Sequence, residues 1–173
     1  MSKLAVLVIV PALALAPAGC GGSSKSSSGS TPASAPPAPS TTTSAPSAGG
    51  VKISSATIAR LGPALVNAQG RTLYVFAPDK GKRVTCVSAC AAIWPPAFLP
   101  SGKKTVATAP VKQSLLGSDR DPAGGRVITY AGWPLYTYVT DTAPGQATGQ
   151  ALNLNGGLWY VISPAGKVIT KKP

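Results

Sequence analysis

Apolar and polar positions alternate in short runs from residue 51 to the end of the chain. Such alternation is typical of β-strands with one buried face, because successive side chains point to opposite sides of a sheet. Tyr74 and Phe76 therefore share one face of a predicted strand, as do Tyr136 and Tyr138, whereas Leu73 lies on the opposite face. The pattern predicts an all-β domain.

Turn residues separate these runs. Asp121-Pro122-Ala123-Gly124 and Ser163-Pro164-Ala165-Gly166 carry Pro at the second position and Gly at the fourth, as type I β-turns prefer. Each turn lies between two apolar runs, so the connected strands are expected to pair antiparallel. The expected hairpins join 115–118 to 126–130 and 158–162 to 167–169.

The domain contains an internal repeat. A shift of 62 residues places Tyr74 on Tyr136, Phe76 on Tyr138 and Asp79 on Asp141, and it also aligns Gly70 with Gly132, Leu73 with Leu135 and Val66 with Ile128. Each copy reads as a strand, a tight turn, a second strand and then an Asp. We therefore predict two hairpin-centred repeats, at approximately 63–100 and 115–170, within a single domain spanning 51–173.

One segment breaks the alternation. Residues 84–94 are rich in Ala and end at Pro95-Pro96, which predicts one or two helical turns. On a helix, Cys86 and Cys90 would lie on one face about 6 Å apart at Cα, within the range that a disulfide accepts. We expect a short helix around this Cys-x-x-x-Cys and a structural disulfide; a redox-active pair is the alternative.

These features together resemble a known family. The tandem Tyr-x-aromatic-x-x-Asp at 74–79 and 136–141, the Cys-x-x-x-Cys followed by Trp94-Pro95-Pro96, and the segment 157–166 are similar to the secreted-repeat lipoproteins of bacteria. The resemblance covers most of residues 65–169. It implies an exported and often lipid-anchored repeat domain, and it supplies no activity because the function of the family is unknown.

The first residues have the layout of an export signal. Lys3 precedes an apolar stretch from Leu4 to Leu15, and small residues follow up to Cys20. The stretch is too short to cross a bilayer, which needs about 20 helical residues. The segment resembles a lipoprotein signal peptide, 1–19, cleaved so that Cys20 carries the lipid, although Pro17 stands where such signals usually have Leu. The alternative is ordinary secretion, which leaves Cys20 as an unpaired thiol.

Residues 20–50 form the predicted tether. After Cys20 only Gly, Ser, Lys, Thr, Pro and Ala occur, so this segment cannot bury enough apolar surface to offset the entropy lost on ordering. We predict a disordered tether that holds the domain away from a membrane.

Composition excludes several kinds of site. The chain has no His, and its four acidic residues are all Asp, which excludes His-based triads, paired-Glu glycosidases and His-ligated metals. The 16 Lys and Arg give a formal charge of +12, or about +10 once Lys3 and Lys25 are removed with the signal and tether. An anionic partner at the cell envelope is expected, rather than nucleic acid, unless the charge serves only solubility.

The aromatic side chains allow two interpretations. They could line a groove for a sugar or small ligand, or they could form the core of a small β domain, which we favour. Trp133, in the segment Ala131–Pro134, is the residue expected to be most exposed and is our candidate ligand contact.

The equivalent residues Asp79 and Asp141 also allow two roles. An Asp at a strand exit usually accepts hydrogen bonds from turn amides. A paired-carboxylate site for a cation or for catalysis is the sharper alternative, but Lys80 and Lys82 lie close in sequence and no other acid does. We therefore expect no metal, no cofactor and no catalytic residue; a hydrolase would have only Asp, Ser, Tyr and Lys to use.

The functional expectation is a non-catalytic binding or envelope-interaction module of unknown ligand. It would sit on the outer face of the bacterial cytoplasmic membrane through a lipid on Cys20, or be shed from it in part. Its partner would be an anionic envelope polymer, lipid headgroups or a protein. The alternative is an extracytoplasmic redox or electron-transfer accessory in which Cys86 and Cys90 cycle.

Overall fold

The computed structural model describes residues 49–79, 81 and 83–173. The predicted signal peptide, the lipidation site Cys20 and the tether up to residue 48 lie outside the described residues. No helix within the described part is long and apolar enough to cross a membrane.

Ten strands and one short α-helix make up the regular structure of the described residues, confirming the all-β prediction. The helix α1 spans Ala89–Ile93, and single 3-10 turns occupy Ala77–Asp79 and Gln113–Leu115. The strands are β1 (Gly50–Ile58), β2 (Gly62–Asn67), β3 (Tyr74–Phe76), β4 (Lys104–Ala107), β5 (Leu116–Arg120), β6 (Arg126–Tyr130), β7 (Trp133–Pro134), β8 (Asn153–Leu154), β9 (Gly157–Ile162) and β10 (Val168–Ile169).

The strands form three small sheets with the orders β2-β1-β4, β5-β6-β7 and β10-β9-β3, the last with β8 paired to β9. All pairs are antiparallel except β1 with β4, which runs parallel. Both predicted hairpins, β5–β6 and β9–β10, are present. The β9–β10 turn closes with the Gly166 amide donating to the Ser163 carbonyl at 2.9 Å.

The two copies exchange strands. Strand β3, in the first predicted repeat (approximately 63–100), pairs with β9, in the second (approximately 115–170). In the equivalent arrangement, Pro96 of the first copy bridges Tyr136 of the second. The end of each copy therefore pairs with the motif strand of the other, so neither copy completes its own sheet.

The alternation predicted from the sequence separates two hydrophobic clusters. Tyr74, Phe76 and Tyr136 pack in one cluster with Trp94 and Trp159. Leu73, Val75 and Leu135 pack in the other cluster, with Leu65, Ile128 and Ile162 among its members. Since β3 and β9 contribute to both clusters, these strands are buried on both faces.

Two details differ from the sequence prediction. The Leu73 amide donates to Leu65 at 2.9 Å and the Leu135 amide to Ile128 at 3.0 Å, so the equivalent of Ile128 is Leu65 rather than Val66. The cause is a connection that is one residue longer in the first copy. In addition, α1 begins only at Ala89, so Cys86 precedes the helix and the two cysteines do not share one helical face.

Candidate functional site

The repeat motif forms two reciprocal hydrogen bonds between the copies. The Tyr74 hydroxyl donates to Asp141 Oδ2 at 2.5 Å, and the Tyr136 hydroxyl donates to Asp79 Oδ2 at 2.5 Å. These are the Tyr–Asp pairs. Both tyrosines are fully buried, and both carboxylates are 1% exposed. Each motif thus supplies its Tyr to one pair and its Asp to the other.

The second oxygen of each carboxylate holds a loop of its own copy. Asp79 Oδ1 accepts from the Thr85 amide at 2.9 Å and from its hydroxyl at 2.5 Å. Asp141 Oδ1 accepts from the Thr148 amide and hydroxyl at 2.9 and 2.6 Å. Each carboxylate thus accepts three hydrogen bonds, and both of its oxygens are engaged within the protein, which stabilises the fold.

Burial governs the titration of these groups. Burial and the hydrogen bond to Asp141 raise the pKa of Tyr74 far above its ordinary value, and burial and the bond to Asp79 do the same for the pKa of Tyr136. Burial also raises the pKa of Asp79, while hydrogen bonds from Thr85 and Tyr136 oppose the shift. Both tyrosines are therefore neutral donors at physiological pH.

The aromatic residues form a continuous stack of four rings between the copies. In order they are Phe76, Trp159, Trp94 and Tyr138, with successive centroids 4.2, 3.9 and 4.2 Å apart. The two Trp planes differ by only 2°. Tyr74 meets Trp94 edge-on at 5.3 Å, and Tyr136 meets Trp159 edge-on at 5.2 Å. This ring stack is core, and neither indole face is open to a ligand.

The remaining aromatic candidate has a different environment. Trp133 begins β7, directly after the Ala131-Gly132 turn, and is only partly buried against the second cluster.

Among the described residues, the Trp94 indole N–H is buried without a hydrogen-bond partner, whereas that of Trp159 donates to the Leu154 carbonyl at 3.1 Å. The two indole N–H groups of the ring stack therefore differ in their hydrogen bonding.

The disulfide predicted from the sequence is present. Cys86 and Cys90 are bonded with their Cα atoms 5.2 Å apart. Cys86 is 1% exposed and belongs to the first cluster, while Cys90 is partly buried against it. The bond links the start of α1 to the segment just before it. Among the described residues, no group of three Cys or Asp side chains is arranged to hold a metal.

Charge is distributed unequally between interior and surface. Asp79, Asp121 and Asp141 are buried, and the fourth acid, Asp119, is half-buried. Except for half-buried Arg71, the described cations are exposed; they are Lys52, Arg60, Arg83, Lys103, Lys104, Lys112, Arg120, Arg126, Lys167, Lys171 and Lys172. We call these residues, apart from Lys112 and the C-terminal Lys171 and Lys172, the cationic surface. No Asp side chain in the described part of the chain is equally exposed.

The fold brings some of these cations together. Lys104 on β4 lies opposite Gly50 on the parallel strand β1, which places Lys52 diagonally beside it on the same face. At the end of the β5–β6 hairpin, Arg120 stands directly opposite Arg126. Like charges across a ladder are unfavourable, so an anion bound between them would be stabilising.

An open cleft of about 450 Å³ lies on the surface and was not predicted from the sequence. Three separate parts of the chain line it, so no local pattern could have predicted the cleft. The lining residues are Leu61, Pro63, Pro110, Lys112, Ser163, Pro164, Ala165 and Ile169. We call it the proline cleft.

Comparison with known proteins identifies the repeats. The family Lipoprotein_15, described as a secreted repeat of unknown function, matches residues 55–98 and 118–163. These are the two copies that exchange strands in the structure. No curated protein and no solved structure matches the chain significantly. Because the two matches cover more than half of its length, the chain belongs to this family of secreted repeats of unknown function.

Proposed function

We propose that this chain is a lipid-anchored, non-catalytic binding module on the outer face of the bacterial cytoplasmic membrane, and that its cationic surface binds an anionic envelope polymer. The observation that carries the proposal is the unequal placement of charge: three of the four Asp side chains are buried and the fourth is half-buried, whereas the described cations other than Arg71 are exposed. A surface of one sign attracts polyanions over distances of about a Debye length.

The spread of the cations favours a polymer over a compact anion. Lys52 and Lys104 lie on the β1–β4 sheet, whereas Arg120 and Arg126 lie on the β5–β6 hairpin. A long polyanion can contact several such groups at once and release counterions from each of them. The motif residues take no part, because their polar atoms are engaged in the Tyr–Asp pairs.

The binding role is tested with inorganic polyphosphate as the probe polyanion. The full mature chain is titrated at several salt concentrations, and Lys52→Gln/Lys104→Gln is compared with Lys171→Gln/Lys172→Gln at the C-terminus. Each variant removes two charges. We expect the first to weaken binding about tenfold and to lower the salt dependence, while the second stays within about threefold.

Three results would contradict this proposal. Equal weakening by both variants would mean that only net charge matters. Absence of binding to polyphosphate would refute the polymer partner. Stronger binding to vesicles containing phosphatidylglycerol than to polyphosphate would assign the surface to lipid headgroups.

The anchor has its own experiment. Intact mass of the membrane-extracted protein should show a diacylglyceryl group on Cys20, as the lipoprotein-like signal implies. An unlipidated mass would refute the lipid anchor. The proposed binding of a polyanion would still be tested by the polyphosphate titration.

A redox accessory that uses Cys86 and Cys90 is the second candidate. The observation that favours it is the partial exposure of Cys90, whereas Cys86 is buried. A structural disulfide typically has a reduction potential below about −300 mV. A measured potential well above that value would favour the redox role, and one below it would reject that role.

A further inference from the structure

A buried side chain holds two of the three walls of the proline cleft together. Tyr130 is fully buried, and its hydroxyl donates to the Pro164 carbonyl at 2.6 Å. The same oxygen accepts from the Lys112 amide at 3.0 Å. The 110–112 segment and the 163–166 turn are therefore held at a fixed separation, so the cleft exists before any ligand arrives.

The lining of the cleft has the chemistry of an amphiphile site. Leu61, Pro63, Pro110, Ala165 and Ile169 offer aliphatic surface without hydrogen-bonding groups. Lys112 and Ser163 are the lining residues whose side chains end in a polar group, and they belong to the two walls that Tyr130 joins. No acidic residue lines the cleft. The volume is in the range of small-ligand pockets, roughly 300–1,000 Å³.

We propose that the proline cleft binds a long-chain fatty acid, with the aliphatic chain against the proline and leucine walls and the carboxylate at Lys112 and Ser163. The exposed Lys112 ammonium supplies the complementary charge. The Ser163 oxygen accepts from the Lys167 amide at 3.1 Å, and its own O–H can donate to a carboxylate oxygen. One cation and one hydroxyl suit a single carboxylate better than a dianionic phosphate.

This site is separate from the polyanion-binding role proposed above. Apart from Lys112, its lining residues are uncharged, so binding of the aliphatic chain depends on burial of apolar surface. Fatty acid binding should therefore persist at a salt concentration that releases polyphosphate. The two proposals can fail independently.

The test uses palmitate and hexadecanol, each below its micelle concentration, with the full chain carrying Cys20→Ser so that no acyl chain of its own competes. Amide NMR signals report the site. We expect palmitate to shift the signals of Lys112, Ser163 and Ala165, and hexadecanol to bind about tenfold more weakly because it lacks the charge.

Matched variants locate the ligand. Ala165→Trp fills the cleft from an exposed turn position, and Ala123→Trp places the same side chain at the corresponding position of the Asp121–Gly124 turn. Lys112→Gln removes the cation, and Lys103→Gln removes an exposed cation outside the lining. Ala165→Trp should abolish binding and Lys112→Gln should weaken it about tenfold, while both controls remain within about twofold.

Several outcomes would overturn the proposal. Equal binding of palmitate by the wild-type chain and Ala165→Trp would place the ligand outside the cleft. Equal affinity for palmitate and hexadecanol would mean that the carboxylate does not contribute to binding. If palmitate shifts none of these amide signals, no fatty acid binds in the cleft. If the same signals shift with protein concentration alone, a second copy of the chain occupies the cleft.

Discussion

Tyr74 and Tyr136, the equivalent tyrosines of the two repeats, are backbone partners. The Tyr74 amide donates to the Tyr136 carbonyl at 2.8 Å, and the Tyr136 amide donates to the Tyr74 carbonyl at 2.9 Å. Each then directs its hydroxyl to the Asp of the other repeat. The motif that marks each repeat in the sequence therefore joins the two repeats through buried hydrogen bonds.

Separated halves of the domain should not fold. Cleavage between Ala109 and Pro110, in an exposed segment, leaves each fragment without the strand that completes its sheet. We expect each fragment alone to give the amide spectrum of an unfolded chain, and an equimolar mixture to recover the spectrum of the intact domain. Native-like signals from either fragment alone would contradict the exchange of strands.

Among the Trp residues, the two in the ring stack should contribute most to the free energy of unfolding. Trp94 and Trp159 are fully buried, whereas Trp133 is only half-buried. Truncation of a buried Trp costs about 3–5 kcal/mol, so Trp94→Ala and Trp159→Ala should each lower the free energy of unfolding by that amount. Trp133→Ala is the matched control and should cost clearly less. Urea denaturation measures all three, and a cost for Trp133→Ala as large as the others would refute the assignment.

Stability should fall above the pH at which tyrosine ordinarily ionises. Because the folded pKa of Tyr74 and Tyr136 is raised, the unfolded chain loses these protons near pH 10 while the folded chain keeps them. The free energy of unfolding should then decrease by about 1.4 kcal/mol per pH unit for each tyrosine. Tyr74→Phe should remove about half of this slope and the double Phe variant most of it. An unchanged slope in the double variant would contradict the assignment.

The disulfide should contribute modestly. Cys86 and Cys90 close a very short loop, for which chain entropy gives about 2 kcal/mol. Cys86→Ala/Cys90→Ala should lower the free energy of unfolding by about that amount and leave the fold intact. Collapse of the amide spectrum in this variant would show that the core depends on the bond far more than loop closure explains.

Local signals in the sequence predicted much of the fold. The Pro and Gly positions of the two tetrapeptide turns predicted the β5–β6 and β9–β10 hairpins, and alternation assigned Tyr74 and Leu73 to opposite faces. Helix α1 is shorter than predicted because residues 83–87 have no regular structure and Ser88 has a positive φ of 53°. Strand β1 is not among the predicted strands, since Ser54, Ser55 and Thr57 interrupt the alternation of its apolar residues.

Long-range pairing could not be read from the chain. An internal alignment shows which residues are equivalent, but it does not say whether Tyr74 meets Asp79 of its own copy or Asp141 of the other. The parallel β1–β4 pair and the proline cleft likewise join segments far apart in sequence. The burial of the carboxylates, which leaves the surface cationic, is a consequence of these tertiary contacts.

The most direct test of the structural account is a double-mutant cycle on the motif. Tyr74→Phe is combined with Asp141→Asn, its hydrogen-bond partner, and separately with Asp79→Asn, the Asp of its own repeat. Urea unfolding should give a coupling energy of about 1–3 kcal/mol for Tyr74 with Asp141, and a clearly smaller one for Tyr74 with Asp79. Stronger coupling between Tyr74 and Asp79 would mean that each motif closes on itself, and the interlocked arrangement would be wrong.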